Sequence, residues 1–246
     1  MSHVVIGVDC AVQPADVGLA RVRGELGSWH LEAVFRASAK RIPEQIVAEW
    51  IHAGSDPVLL ALDAPLGWPV AMSESLGRHR AGSGIASEAN DLFRRATDRF
   101  VARSFRKTPL DVGADRIART THWAVNFLDR LRHRLGVSIP LAWELPLSDS
   151  VSAIEVYPAA TLLAHGGELA GYKAAGGASE RSELYEMLQK HFTCSEECTA
   201  AKKSPHLIDA AICALAGTDF IDGKAVAPED RGLAEREGWI WARPRA

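Results

Sequence analysis

Four acidic residues lie in or directly after apolar segments of a kind that normally exclude a carboxylate. Asp9 ends the run HVVIGVD, Asp63 ends PVLLALD, Glu155 lies in SAIEVYP, and Asp209 lies early in the helical pattern PHLIDAAICALAG. Desolvating a carboxylate is costly unless it is paired, hydrogen-bonded or bound to a metal. Because open α/β sheets place their ligand crevice at the carboxyl ends of the strands, these acids are predicted to meet there.

Carboxylates that converge in one crevice repel each other unless a cation neutralises them. Mg²⁺ and Mn²⁺ prefer oxygen ligands, and two such ions about 4 Å apart can promote attack of water on a phosphodiester. We therefore predict that Mg²⁺ or Mn²⁺ is bound at these carboxylates. Glu155 is expected to bind an ion or orient the attacking water. His206 shares a helix face with Asp209 and is expected to assist proton transfer.

A basic segment interrupts a chain whose net charge is −3. Residues 94–134 contain eleven Arg or Lys and four Asp. Arginine binds phosphate with a bidentate fork, and spacings of three and four residues form a basic helix face, so we predict contact with a nucleic-acid backbone without base-specific readout. The candidates are Arg94, Arg95, Arg99, Arg103, Arg106 and Lys107. A solvated helix face, or burial of some arginines against neighbouring aspartates, remains an alternative.

The framework that positions these residues follows from the hydrophobic periodicity. Strand patterns cover VVIGVD, a hairpin within DVGLARVRGELGSWHLEAVFRA, PVLLALD and SAIEVYPAA, with short strands near Ala225 and in GWIWA. Helical patterns cover IPEQIVAEWIH, THWAVNFLDRLRHRLG, 158–165, 179–192 and 205–217. Ser204 is the predicted cap of the last helix and Gly217 its predicted end. Residues 67–150 have no convincing strand pattern and are predicted to form a helical insertion in a single domain, 1–246.

Composition restricts the class of protein. The chain has 246 residues, 47% of them hydrophobic and 24% charged, as in ordinary globular proteins. No apolar run approaches the roughly 20 residues that span a bilayer, and the start lacks the features of a signal peptide. Four sparse cysteines fit a reducing compartment. These features predict a cytoplasmic protein without a membrane segment.

Six motifs in this order resemble the DUF429 family of predicted nucleases with a ribonuclease H-like fold: GVDCA, DAPLGWP, RRATDR, TPLDVGADRI, EVYPAAT and HLIDAAICALAG. The resemblance covers nearly the whole chain. It implies an α/β fold with a mixed five-stranded sheet, antiparallel in the order 3-2-1 and then parallel, flanked by helices. It also implies a metal site made of Asp9, Asp63 and Asp209, in which Asp9 would bridge two ions and Asp63 and Asp209 would each complete one. Glu155 belongs to the family's EVYP motif.

Metal-dependent phosphodiester hydrolysis, as by a nuclease, is therefore the predicted function. One alternative is a phosphohydrolase or phosphotransferase acting on a nucleotide or another small phosphate. A second is a non-catalytic nucleic-acid-binding protein, which four retained acids disfavour. A zinc site from His191, Cys194, Cys198 and His206 is disfavoured because the spacing matches no standard finger. An actin-like ATPase is disfavoured because the chain leaves little room for a second half of similar fold.

Overall fold

The computed structural model describes residues 1–113, 115–167 and 170–245, and its centre is a six-stranded sheet. The spatial order is β5-β4-β1-β2-β3-β6. Strands β1, β2 and β3 are antiparallel neighbours, β4 and β5 continue the sheet parallel to β1, and β6 runs parallel to β3. The strands are β1 His3–Asp9, β2 Gly18–Glu25, β3 Ser28–Arg36, β4 Val58–Leu62, β5 Val151–Glu155 and β6 Phe192–Cys194.

The predicted order of five strands is confirmed, and β6 is an addition that the sequence pattern did not indicate. Of its three residues only Phe192 is buried, so it carries no alternating signal. The prediction of short strands near Ala225 and in GWIWA is wrong. Ile240 makes a single bridge to Glu155, and the Val226 N–H donates to the Ala242 carbonyl at 2.9 Å, so these segments touch without forming a ladder.

Helices cover both faces of the sheet. Four of them, α2 to α5, lie between β4 and β5, and the described residues there form no strand. Two 3₁₀ helices, Pro14–Asp16 and Glu196–Lys203, lie in other connections. The α-helices are α1 Pro43–His52, α2 Val70–Leu76, α3 Ala89–Phe93, α4 Ala96–Phe105, α5 Asp115–Leu135, α6 Pro158–Ala164, α7 Ala178–Leu188, α8 Pro205–Ile221 and α9 Arg231–Glu237.

Helix α8 lies directly on the sheet because glycines face it. A Cβ added to Gly7 would come within 2.0 Å of the Ala210 carbonyl oxygen, and one on Gly18 within 2.0 Å of the His206 carbonyl oxygen. Only residues without a side chain permit this approach of helix backbone to strand backbone. The two glycines therefore set the distance between β1, β2 and the first turns of α8, where His206 lies.

Two predictions about α8 are wrong. The helix continues through Gly217 to Ile221, because Gly217 is a packing contact: a Cβ there would lie 2.5 Å from Cγ1 of Val5. Ser204 occupies the N-cap position, but its hydroxyl makes no hydrogen bond to any described residue. The start of α8 therefore depends on Pro205 and on packing, without a side-chain cap.

Two further observations bear on the class of protein. Within the ranges that the structure describes, no helix has both the length and the apolar character needed to cross a bilayer. All four cysteines carry free thiols, and three of them, Cys10, Cys198 and Cys213, are buried.

Candidate active site

Three of the predicted carboxylates lie together where β1, β4 and α8 meet. Asp9 ends β1 and Asp63 directly follows β4, while Asp209 lies on the second turn of α8. Strand alternation places Asp9 on the same face as Val5, which packs in the cluster that includes α8. Burial raises the pKa of Asp63 well above its usual value, and the charges of Asp9 and Asp209 raise it further. The three side chains therefore form one electrostatic group, called here the aspartate cluster.

Asp9 is hydrogen-bonded to His206. The Nδ1 atom of His206 lies 2.7 Å from Oδ2 of Asp9. Burial raises the pKa of Asp9 to about 6, although the hydrogen bond from His206 opposes the shift and the charge of Asp209 adds to it. The same hydrogen bond raises the pKa of His206, against the effect of its partial burial. The contact with His206 offsets only part of the cost of placing Asp9 at the end of a buried strand, because the pKa of the Asp9 carboxyl stays high.

Asp209 is held through both of its carboxylate oxygens by two consecutive residues. The Tyr172 hydroxyl donates to Oδ1 at 2.8 Å, and Nζ of Lys173 lies 2.7 Å from Oδ2. Partial burial lowers the pKa of Lys173, but the charge of Asp209, followed by those of Asp63 and Asp9, raises it by more. The ammonium group of Lys173 therefore balances charge for the whole aspartate cluster.

Asp63 differs from its two neighbours because its carboxylate has no partner in the part of the chain that the structure describes. Among the described residues it accepts no hydrogen bond and forms no ion pair, whereas Asp9 and Asp209 have both. It lines two adjoining cavities, of about 300 Å³ and about 390 Å³. Lys107, Tyr157 and Lys173 line the larger cavity with it. A carboxylate that pairs with none of the described residues therefore lines a cavity together with two lysines.

The structure does not support Glu155 as a metal ligand, because its carboxylate is fully engaged by Arg95. Atoms Nη2 and Nη1 of Arg95 lie 2.7 and 2.8 Å from its two oxygens, and the Leu66 N–H donates to one of them at 2.9 Å. Along β5, Ala153 packs in the cluster opposite α8, so alternation turns Glu155 toward that face too. Arg95 also contacts both oxygens of Asp98. Glu155 thus belongs to a buried ion network beside the aspartate cluster.

The prediction that Arg95 contacts nucleic acid is therefore wrong, since its side chain is only 1% exposed. The charges of Glu155 and Asp98 raise its pKa despite burial, which lowers it. Here the alternative of a buried, paired arginine holds. A further acid, Glu237, accepts from the Ala96 and Val70 backbone N–H groups at 2.8 Å each. These contacts join the end of α9 to the starts of α4 and α2, and Arg95 also donates to the Glu237 carbonyl.

The other five candidates of the basic segment divide into two groups. Arg94 and Arg99 are partly exposed and contact Asp111 and Asp91 at 3.0 and 3.5 Å. The second group is exposed and forms no ion pair with a described residue; it consists of Arg103, Arg106 and Lys107. We call this second group the basic patch. Lys107, one member of the patch, lines a cavity with Asp63.

Tyr172 and Lys173 are functional candidates that the sequence reasoning missed. They lie in the segment GYKAAGG, whose shape depends on its glycines: Gly171 has φ +82°, and a Cβ on Gly177 would come 2.3 Å from the Gly171 carbonyl oxygen. The buried Arg181 donates to the Tyr172 carbonyl at 2.6 Å. The only signal in the sequence was a tyrosine–lysine pair enclosed by glycines.

The donor chemistry of the aspartate cluster fits a hard divalent cation. Carboxylate oxygens are preferred ligands of Mg²⁺ and Mn²⁺, and Asp63 has no competing partner among the described residues. As the side chains stand, no three His, Cys, Asp or Glu residues of the described chain form a group that could hold one ion. That finding also applies to the disfavoured zinc set. The oxygens of Asp9 and Asp209 point instead to their protein partners.

Comparisons with known proteins were made on sequence and on structure. The family model described as "Protein of unknown function (DUF429)" matches residues 7–232. A solved structure, T. thermophilus RuvC in complex with a Holliday junction substrate, is similar at 13% identity and a TM-score of 0.40, over 90% of this chain and 94% of that chain. No curated protein matches. The family match spans all three members of the aspartate cluster.

Proposed function

The chain belongs to the DUF429 family, and for this member we propose divalent-cation-dependent hydrolysis of phosphodiester bonds, with nucleic acid as the substrate. The observation that carries the proposal is the Asp63 carboxylate, which pairs with no residue that the structure describes and whose pKa is raised by burial and by Asp9 and Asp209. A group of acids with an uncompensated member favours a bound cation. Asp9, Asp63 and Asp209 would hold Mg²⁺ or Mn²⁺, which when bound supplies Lewis-acid activation of the phosphodiester.

His206 is the proposed proton carrier. Its Nδ1 atom is engaged by Asp9, which orients the ring, while the side chain remains 30% exposed. Nε2 is then the atom at which a proton can be exchanged with water or a leaving group. The hydrogen bond with Asp9 raises the pKa of His206 above its ordinary value, which stabilises the protonated form of the ring.

The basic patch supports a polyanionic substrate. Arg103, Arg106 and Lys107 are exposed, and Lys107 lies at the cavity that contains Asp63. Cations that contact phosphates flanking a scissile bond would place that bond at the aspartate cluster. No feature of the patch suggests recognition of particular bases.

A second candidate is hydrolysis of a nucleotide or another small phosphate. The cavity of about 390 Å³ beside Asp63 is within the range of small-molecule sites, and Lys107 and Lys173 supply charge for one phosphate group. This substrate would use the same carboxylates but would not need Arg103 or Arg106.

Turnover assays on purified protein test the proposal. Wild type, Asp63→Asn and the exposed control Asp129→Asn are incubated with single-stranded DNA, duplex DNA, RNA and nucleoside phosphates, with Mn²⁺, Mg²⁺ or EDTA. We expect cation-dependent cleavage of an oligonucleotide, lowered about a thousandfold in Asp63→Asn and unchanged in Asp129→Asn. Turnover of nucleoside phosphates alone would favour the second candidate. Equal activity of wild type and Asp63→Asn would refute both.

A further inference from the structure

The contact between Lys173 and Asp209 has a consequence for cation binding. Tyr172 and Lys173 together use both oxygens of Asp209, at 2.8 and 2.7 Å. Asp209 itself is 2% exposed, so its oxygens have little access to other partners. A cation that binds Asp209 must therefore compete with the ammonium group of Lys173.

Buried contacts hold the backbone of the segment that carries Lys173. Arg181, which is 5% exposed, donates to the carbonyls of Tyr172 and Ala174 at 2.6 and 3.1 Å. Tyr172 is 3% exposed, whereas the Lys173 side chain is 62% exposed. The backbone on both sides of Lys173 is thus fixed, whereas most of the Lys173 side chain is exposed, which leaves room for other rotamers.

The space into which the Lys173 side chain could move lies next to the aspartate cluster. Lys173 lines both cavities that Asp63 lines, and the larger one also contains Lys107 and Tyr157. A long lysine side chain can move its ammonium group by several ångströms through rotamer changes alone. No movement of α8 or of the sheet is needed.

We propose that Lys173 is the resident counter-ion of the aspartate cluster, that it competes with a divalent cation for Asp209, and that it leaves Asp209 when the cation binds. This inference rests on the proposed function, because it assigns a regulator to the same cation site. Lys173 lowers the affinity of that site and offsets part of the charge of the cluster at low cation concentration. It acts through Asp209 and is therefore a positioning residue.

Calorimetric titration of Mn²⁺ into the EDTA-treated and dialysed full chain tests the competition. The proteins are wild type, Lys173→Met and Lys190→Met, a control at an exposed lysine that follows the end of α7. We expect Lys173→Met to bind Mn²⁺ about tenfold more tightly than wild type, because no ammonium group has to be displaced. Lys190→Met should match wild type. Equal or weaker binding by Lys173→Met, with binding by wild type intact, overturns the inference and leaves the proposed function standing.

Amine labelling of wild type provides a measurement that does not depend on the folding of a variant. Acetylation of each lysine is followed by mass spectrometry with and without saturating Mn²⁺. We expect Mn²⁺ to increase the labelling rate of Lys173 about threefold or more as its ion pair opens, and to leave Lys190 unchanged. An unchanged Lys173 rate at saturating Mn²⁺ overturns the inference. Absence of Mn²⁺ binding to wild type and to Lys173→Met overturns the proposed function and this inference together.

Discussion

Replacement of Asp9 by Asn tests whether the aspartate cluster carries uncompensated charge. The pKa of Asp9 is raised from 3.8 to about 6. Because the carboxyl binds its proton more tightly in the folded chain than in the unfolded one, its ionisation destabilises the fold as the pH rises from about 4 to about 6. At pH 8 that cost is complete and amounts to about 3 kcal/mol. Asn keeps the shape of Asp9 without the charge.

Chemical denaturation in EDTA measures this effect. At pH 8 we expect Asp9→Asn to be more stable than wild type by about 1–3 kcal/mol, since loss of the charged hydrogen bond to His206 offsets part of the gain. Between pH 8 and pH 4.5 the difference should shrink by about 2 kcal/mol, because wild type regains stability as Asp9 takes up its proton. The exposed control Asp129→Asn should stay within about 0.5 kcal/mol of wild type at both values.

Two results would refute this reasoning. The first is an Asp9→Asn protein that is less stable than wild type at pH 8, which would make Asp9 a structural partner of His206. The second is a stability difference that does not depend on pH. With excess Mn²⁺ the order at pH 8 should reverse, because wild type binds the cation and gains stability by mass action.

The basic segment supplies the remaining predictions. Arg95→Met should lower the free energy of unfolding by about 3–5 kcal/mol in urea denaturation, because it leaves buried carboxylates unpaired, while Arg99→Met at a partly exposed site should change it by less than about 1 kcal/mol. Removing all three side chains of the basic patch should weaken binding of unrelated single-stranded oligonucleotides about equally in fluorescence anisotropy. The slope of log affinity against log salt should flatten by about 0.7 for each phosphate that the variant no longer binds; an unchanged slope would make Arg103, Arg106 and Lys107 a solvated face.

Five strands of the sheet and the three aspartates of the cluster could be predicted because their signals are local. Apolar runs that end in an acid mark both a buried strand and the side chain at its carboxyl end, as for Asp9 and Asp63. Strand β6 could not be predicted, because one buried residue in three has no periodicity. Gly217 suited a helix end as well as a close contact, and a single sequence does not distinguish these uses of glycine.

Pairing between distant side chains was the part that local patterns could not predict. Arg95 lies in a run of basic residues typical of an exposed face, yet its partner Glu155 is 60 positions away and draws it into the interior. Lys173 lies in a glycine-rich segment without periodicity, and its partner Asp209 follows 36 positions later on α8. Local patterns indicate charge and secondary structure, whereas these contacts depend on how α4 and the 171–177 segment pack against the sheet.

Folding and cation binding make opposite demands on the aspartate cluster. A stable fold needs the charges of Asp9, Asp63 and Asp209 offset, while a cation site needs their oxygens available. Two of the three charges are offset by partners whose contact can be lost. His206 can lose its proton, and Lys173 can reorient. Asp63 has no such partner among the described residues, and its raised pKa marks the charge that remains. A divalent cation at Asp63 would neutralise that charge first, and binding to Asp209 would then require only the departure of Lys173.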